Sequence, residues 1–140
     1  MASRRKAREL ALQMLFQWEQ GQHLPEHVIR SFLLPLFPHP EVEKFACELF
    51  EGTVAEVELL DQRLREHAKN WRLERMAAVD RNILRLALYE LVHFPQTPPP
   101  VVINEAIEIA RRFSGKDSVD FVNGVLDAIR KKLAFTSAKD

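Results

Sequence analysis

The sequence predicts an all-α protein of about seven helices in two packed helical bundles. Three observations carry that prediction. Apolar residues recur at steps of three and four along most of the 140 residues, the spacing that gathers them on one face of a helix. No stretch alternates apolar and polar residues between turn signals as a strand does. The breaks between periodic segments are short and hold Pro or Gly, so consecutive helices must pack side by side.

The elements follow in chain order. Ser3 is a candidate N-cap, and Ala7, Leu10, Ala11, Met14, Leu15 and Trp18 make the apolar face of a first helix that Gly21 stops. Leu12 and Phe16 form a second stripe, so this helix is either central or meets a partner. Pro25 suits the first position of a second helix, with Val28, Ile29, Phe32, Leu33 and Leu36 inward. The turn from Pro35 to Pro40 leads into a long third helix that reads Val42, Phe45, Ala46, Leu49, Phe50, Val57, Leu60 and Leu64, with Gly52 its weak point. Trp71, Leu73 and Met76 suggest a short helical link. A fifth helix runs from about Val79 to Phe94, and Pro95 to Pro100 end it and hold the chain extended. Ile103, Ala106, Ile107, Ala110 and Phe113 mark a sixth helix, broken by Ser114 and Gly115. Ser118 is the candidate cap of a seventh, carrying Val122, Val125, Leu126, Ile129 and Leu133, and the tail from Thr136 is expected to be loose. The whole of 1–140 reads as one domain, with an N-terminal bundle over about 1–70 and a C-terminal bundle over about 78–134.

Composition narrows the function. Hydrophobic residues make up 46% and charged residues 29%, so a packed globular core is expected. The single cysteine, Cys47, excludes an internal disulfide and a cysteine-rich zinc cage, and its apolar neighbours suggest a buried thiol. No apolar run approaches the ~20 residues of a membrane span. The basic start lacks the apolar block of a signal peptide, which points to the cytoplasm. The five histidines are scattered, and the motifs HExxH, GxSxG, GxxxxGK and GxGxxG are all missing. Glu105 and Glu108 beside Arg111 and Arg112 read as solvated helix-face ion pairs. No catalytic residue, metal ligand or cofactor is expected, and the chain is not expected to be an enzyme.

A net charge of zero conceals a strong asymmetry. Residues 1–8 hold four bases and no acid, whereas residues 9–62 hold ten acids and two bases. Arg4, Arg5, Lys6 and Arg8 thus sit on the first turns of a helix, where the macrodipole disfavours each cation by about 0.3–1 kcal/mol. Phosphate binding would explain that placement, and a merely solvated helix end is the alternative. Near the other terminus, Phe121 falls off the main apolar stripe of the last helix. It is placed either to stack on an unpaired base, worth ~1–3 kcal/mol, or to pack on the first helix. Gly124 interrupts the same helix, which commonly marks the close approach of a neighbour. Asp80, Arg81 and Arg85 occupy the polar side of the fifth helix, where architecture and partner docking are both open, and Arg85 is spaced to meet Tyr89.

Three stretches, RRKARELALQMLFQWE, VDRNILRLALYEL and VINEAIEIARRFSGKDSVDFVNGVLD, closely resemble the NusB family in order and spacing. The likeness extends over nearly the whole chain and is weakest from about residue 22 to 70. It implies a NusB-like fold of two helical bundles and a role in transcription antitermination. In that family the protein pairs with the ribosomal protein NusE, binds single-stranded boxA RNA of ribosomal RNA operon leaders, and joins an RNA polymerase antitermination complex. The resemblance implies an RNA surface of Arg4, Arg5, Lys6 and Arg8 with Asp117 and Phe121, and a partner surface of Phe16, Asp80 and Arg85. Phe16 stands where a tyrosine often occurs, which removes any hydroxyl contact there. Four phosphate contacts to a single strand predict a slope of log K against log salt of about −3.

Two further readings compete with this one. A related domain of a ribosomal RNA methyltransferase would need a glycine-rich cofactor loop, which these 140 residues do not hold. A protein-docking module that never touches RNA is the other. A homodimer that covers the basic start is left open.

Overall fold

The computed structural model describes residues 2–21, 24–33, 39–68 and 72–139, and every regular element among them is helical. These are α1 (Ala2–Gly21), α2 (Pro25–Leu33), α3 (Pro40–Ala55), α4 (Val57–His67), a single 3-10 turn (Leu73–Arg75), α5 (Ala78–His93), α6 (Pro99–Phe113) and α7 (Lys116–Lys139). Trp71 and most of the turn before Pro40 lie outside the described residues. The chain divides into two compact units, Met1–Val57 and Glu58–Asp140. The boundary expected near residues 70–78 therefore falls earlier, and α4 packs with the C-terminal elements.

In the first unit α1 packs along α3, and α2 leans on both. Ala7, Leu10, Ala11, Met14 and Leu15 meet Val42, Phe45, Ala46, Leu49 and Phe50 in one core, with Val28 added by α2. Leu12 is buried as well, while Phe16, its neighbour on the second stripe, remains 42% exposed. Ser31 links α2 to α1: its hydroxyl donates to the Val28 carbonyl at 3.0 Å and accepts from Gln17 Nε2 at 3.4 Å. Pro25 and Pro40 open their helices, where a missing N–H removes nothing from the ladder. Ser3 lies inside α1 and is not its cap, because the helix begins at Ala2.

The long third helix of the sequence reading is two helices. It breaks at Glu56, whose φ of −110° and ψ of 17° leave the helical well while its N–H still bonds to the Gly52 carbonyl. The buried faces change unit there: Val42 to Thr53 serve the first, Leu60 and Leu64 the second.

The second unit is built around α5. Residues 82–88 are buried without interruption, and Glu90 follows, so this helix meets protein on every side. Polar residues among them are held by partners. Arg85 forms a fork with Asp61 of α4, Nε to Oδ1 at 2.7 Å and Nη2 to Oδ2 at 2.8 Å, and donates from Nη1 to Asn82 Oδ1 at 3.0 Å. Arg81 donates from Nη1 to the carbonyls of Leu73 and Met76, tying the 3-10 turn to α5. Arg65 binds Glu74 at 2.7 Å, which pins the end of α4 to that turn and holds the Glu74 carboxyl below its usual range. The Tyr89 ring lies 4.5 Å from that of His93 and meets the edge of Phe94.

Helices α6 and α7 pack on each other and on α5 through Val102, Ile103, Ala106, Ile109, Ala110, Val122, Val125, Leu126 and Ile129. Pro99 and Pro100 do not extend the connection as expected; they are the first positions of α6, after Pro98 in an extended conformation. Helix α7 starts at Lys116, ahead of Ser118, and continues through the tail that was expected to be loose. Glu108 and Arg111 form an exposed ion pair on α6, as their spacing suggested.

Removing one partner of a buried, forked ion pair leaves the other charge uncompensated. Arg85→Ala should therefore lower the unfolding free energy by about 3 kcal/mol in urea denaturation. A loss below about 1 kcal/mol would show that Arg85 is not a core element.

Candidate nucleic-acid interface

Two places in the fold gather the residues singled out in the sequence, one in each unit. In the first unit, the first turn of α1 carries no acid and exposes Arg4, Arg5 and Lys6. Arg8 departs from expectation. It is only 6% exposed, one turn deeper on the face that continues through Ala11 and Leu15. Both Arg4 and Arg8 lie over the ring of Phe45 from α3, with guanidinium carbons 4.1 and 5.6 Å from the ring centroid. Those distances are within the range of cation–π attraction. The basic start is thus three exposed cations on a fourth that is packed.

A cleft of about 290 Å³ opens beside this stack, lined by Arg4, Glu41, Lys44, Phe45 and Glu48. Its walls are of mixed sign, and the α3 side is rich in acid. Cys47 reports that field. The thiol is half-buried, less than the sequence suggested, and its pKa is pushed up to about 11 by burial first and then by Glu51, Glu43 and Glu48. At neutral pH it is a protonated thiol and a poor nucleophile.

In the second unit, Asp117 is exposed on the first turn of α7, where a carboxylate also complements the helix dipole. Phe121, one turn on, is half-buried, and Asn123 and Gly124 are exposed. Gly124 does not mark a close approach within the fold: a Cβ built there meets nothing within 4 Å. Asp80 is half-buried and faces the same end of α7, with Oδ2 accepting from Ser118 Oγ at 3.0 Å. Ser118 shares a second short contact, 2.6 Å, with Ser114 Oγ. The other Asp80 oxygen is buried without a hydrogen-bond partner among the described residues.

The residues expected to meet a partner therefore separate. Phe16 is exposed and available. Asp80 joins the start of α5 to the start of α7. Arg85, 7% exposed, is committed to Asp61 and Asn82, so it belongs to the core and not to a partner surface. Sequence reasoning missed Phe45, Asp61 and Ser118 as organisers of these places. The spacing of Arg4 and Arg8 with Ala11 and Leu15, all on one face, was the signal for Phe45. Nothing local marked Asp61. No group of three or more His, Cys, Asp or Glu among the described residues is placed to hold a metal ion, and no described helix is long and apolar enough to cross a membrane.

Residues 5–131 match the model of the NusB family. The chain belongs to the NusB family. It is 52% identical to the transcription antitermination protein NusB of Koribacter versatilis, over 94% of this chain and 90% of that protein. Among solved structures, NusB of T. maritima superposes with a TM-score of 0.85 at 35% identity, covering 91% of this chain and 90% of that one. A crystal structure of antitermination factors NusB and NusE in complex with double-stranded RNA matches with a TM-score of 0.80 at 26% identity, covering 94% of this chain and 98% of that chain. All-helical architecture is thus common to this NusB-family chain and its structural neighbours.

An exposed glycine inside a helix costs about 0.5–1 kcal/mol relative to alanine, and here no contact offsets it. Gly124→Ala should raise the unfolding free energy by about that amount, read as a melting temperature higher by a few degrees. A lower melting temperature would mean that the position is crowded in the folded protein.

Proposed function

We propose that the chain is a transcription antitermination factor that acts in the cytoplasm. Paired with NusE, it binds the single-stranded boxA RNA of ribosomal RNA operon leaders and joins an RNA polymerase complex that passes terminators. The observation that carries this reading is the start of α1, where Arg4, Arg5 and Lys6 stay exposed at the end of a helix whose dipole disfavours them. The helix dipole opposes that placement, and a phosphate chain would favour it. The neighbour that holds NusE and RNA supports the same partners. The relatives matched over nine-tenths of their length are antitermination proteins, which favours this reading over a methyltransferase domain.

The roles divide by chemistry. Arg4 and Arg5 offer planar forks to phosphate oxygens, and Lys6 adds a point charge. Phe121, half-buried on the first turns of α7, is the ring against which an unpaired base stacks. Asp117 repels phosphate, so its use is to accept a hydrogen bond from a base N–H. Phe16 docks NusE through its exposed ring. Asp80 supports the α7 start from behind through Ser118.

A second reading has a specific observation in its favour, since the RNA in that neighbour is double-stranded. An A-form duplex presents shape and phosphates but no unstacked base to Phe121. Competition between a single strand and its duplex separates the two.

With Arg8 packed away, three exposed cations remain. The slope of log K against log salt should then be about −2, from 0.7 per phosphate contact, and shallower than the −3 that four cations give. Titrating a labelled boxA strand at several salt concentrations should show this slope for the isolated chain and tighter binding once NusE is added. A slope near zero, or a duplex that competes as well as the single strand, would rule out this mode of binding.

A further inference from the structure

We propose that Phe45 is a positioning residue of the RNA surface: its ring holds the guanidinium groups of Arg4 and Arg8 so that Arg4 meets RNA already ordered. The inference rests on the RNA-binding reading above and adds to it a residue from α3 that touches no RNA itself.

The geometry has three parts. Phe45 is 7% exposed and fixed in the core of the first unit between Val42 and Leu49, so its ring is a rigid surface. Arg4 lies 4.1 Å over that ring while remaining exposed. Arg8, one turn further along α1, lies 5.6 Å from the same centroid and is buried. A guanidinium that spends its flat face on a ring keeps its N–H donors around the edge, directed along its own plane. Those edges, and not the face, are what a phosphate recognises.

The cleft beside the stack sharpens the inference. Glu41 and Glu48 line it with Arg4 and Lys44. Carboxylates in that lining disfavour a phosphate inside the cleft, so the donors best placed for RNA are those that Arg4 directs away from it. A free arginine at a helix end would sample many rotamers, some folded onto those acids, and would surrender that freedom on binding. A ring-bound arginine has surrendered it already, which is the physical content of preorganisation.

The test uses the full-length chain with NusE and a fluorescent single-stranded boxA RNA. Phe45→Leu keeps an apolar side chain of similar reach and removes the ring. It should weaken binding about fivefold, the scale set by ordering one long side chain. Phe45→Tyr, which keeps the ring, should bind within about twofold of the wild type. In an Arg4→Ala background, Phe45→Leu should change affinity less than about twofold, because nothing remains for the ring to hold. An equal loss in both backgrounds would overturn the proposal and make Phe45 a core residue only. The RNA-free wild type supplies a reading independent of any variant: Arg4 side-chain protons should be shifted upfield by the ring current. Arg4 protons at random-coil positions would overturn the proposal as well. Failure of the wild type to bind RNA at all would sink the RNA-binding reading together with this one, whereas failure of the Arg4 tests alone leaves that reading standing.

Discussion

A cation at the start of a helix opposes the helix's own dipole, and only packing further along can hold it there. In this protein α1 supplies that packing. Ala7, Leu10, Ala11, Met14 and Leu15 seat it on α3, and the ring of Phe45 reaches up to the charges themselves. Each exposed base costs a few tenths of a kcal/mol to about one, and a buried Leu or Met returns roughly 1.5–3 kcal/mol. Burial therefore outweighs the electrostatic cost several-fold, and a short run of positive charge can be displayed without fraying. The rest of the first unit follows from this. Helix α3 must be apolar toward α1, which leaves its acids on other faces and beside the cleft.

The second unit solves a different problem. Helix α5 is surrounded, yet carries Asn82, Arg85 and Glu90. A buried guanidinium is tolerated when its donors are matched in geometry, and the fork onto Asp61 with the added bond to Asn82 does this. That same pair fixes α4 on this unit. At the other end of α5, Asp80 and Ser118 set where α7 begins, and hence where Asp117 and Phe121 stand. Core polar groups thus determine the position of surface ones.

Much of this was legible in the sequence, and the misses have physical causes. Prolines and glycines marked the helix starts and stops, and threefold to fourfold spacing found the faces. The break at Glu56 was invisible because the apolar phase runs through it: Thr53, Val57, Leu60 and Leu64 keep helical spacing across the kink. The divide between units was misplaced for the same reason. Arg85 looked like surface because charge usually is, and only its distant partner Asp61, 24 residues earlier, reverses that. Arg8 shares its neighbours' charge, yet its register with Ala11 and Leu15 places it on the packed face. Gly124 marks no close approach, because it is exposed with open space where a Cβ would stand.

Under the proposed function each unit brings its own RNA contacts, the first through Arg4, Arg5 and Lys6 and the second through Asp117 and Phe121. Photo-crosslinking addresses this most directly: a boxA strand carrying 4-thiouridine, bound to the chain with NusE, is irradiated and the adducts are mapped by mass spectrometry. Adducts within residues 4–8 and at Phe121 are the predicted result. Adducts confined to the acidic side of α3, or none on this chain, would contradict the account.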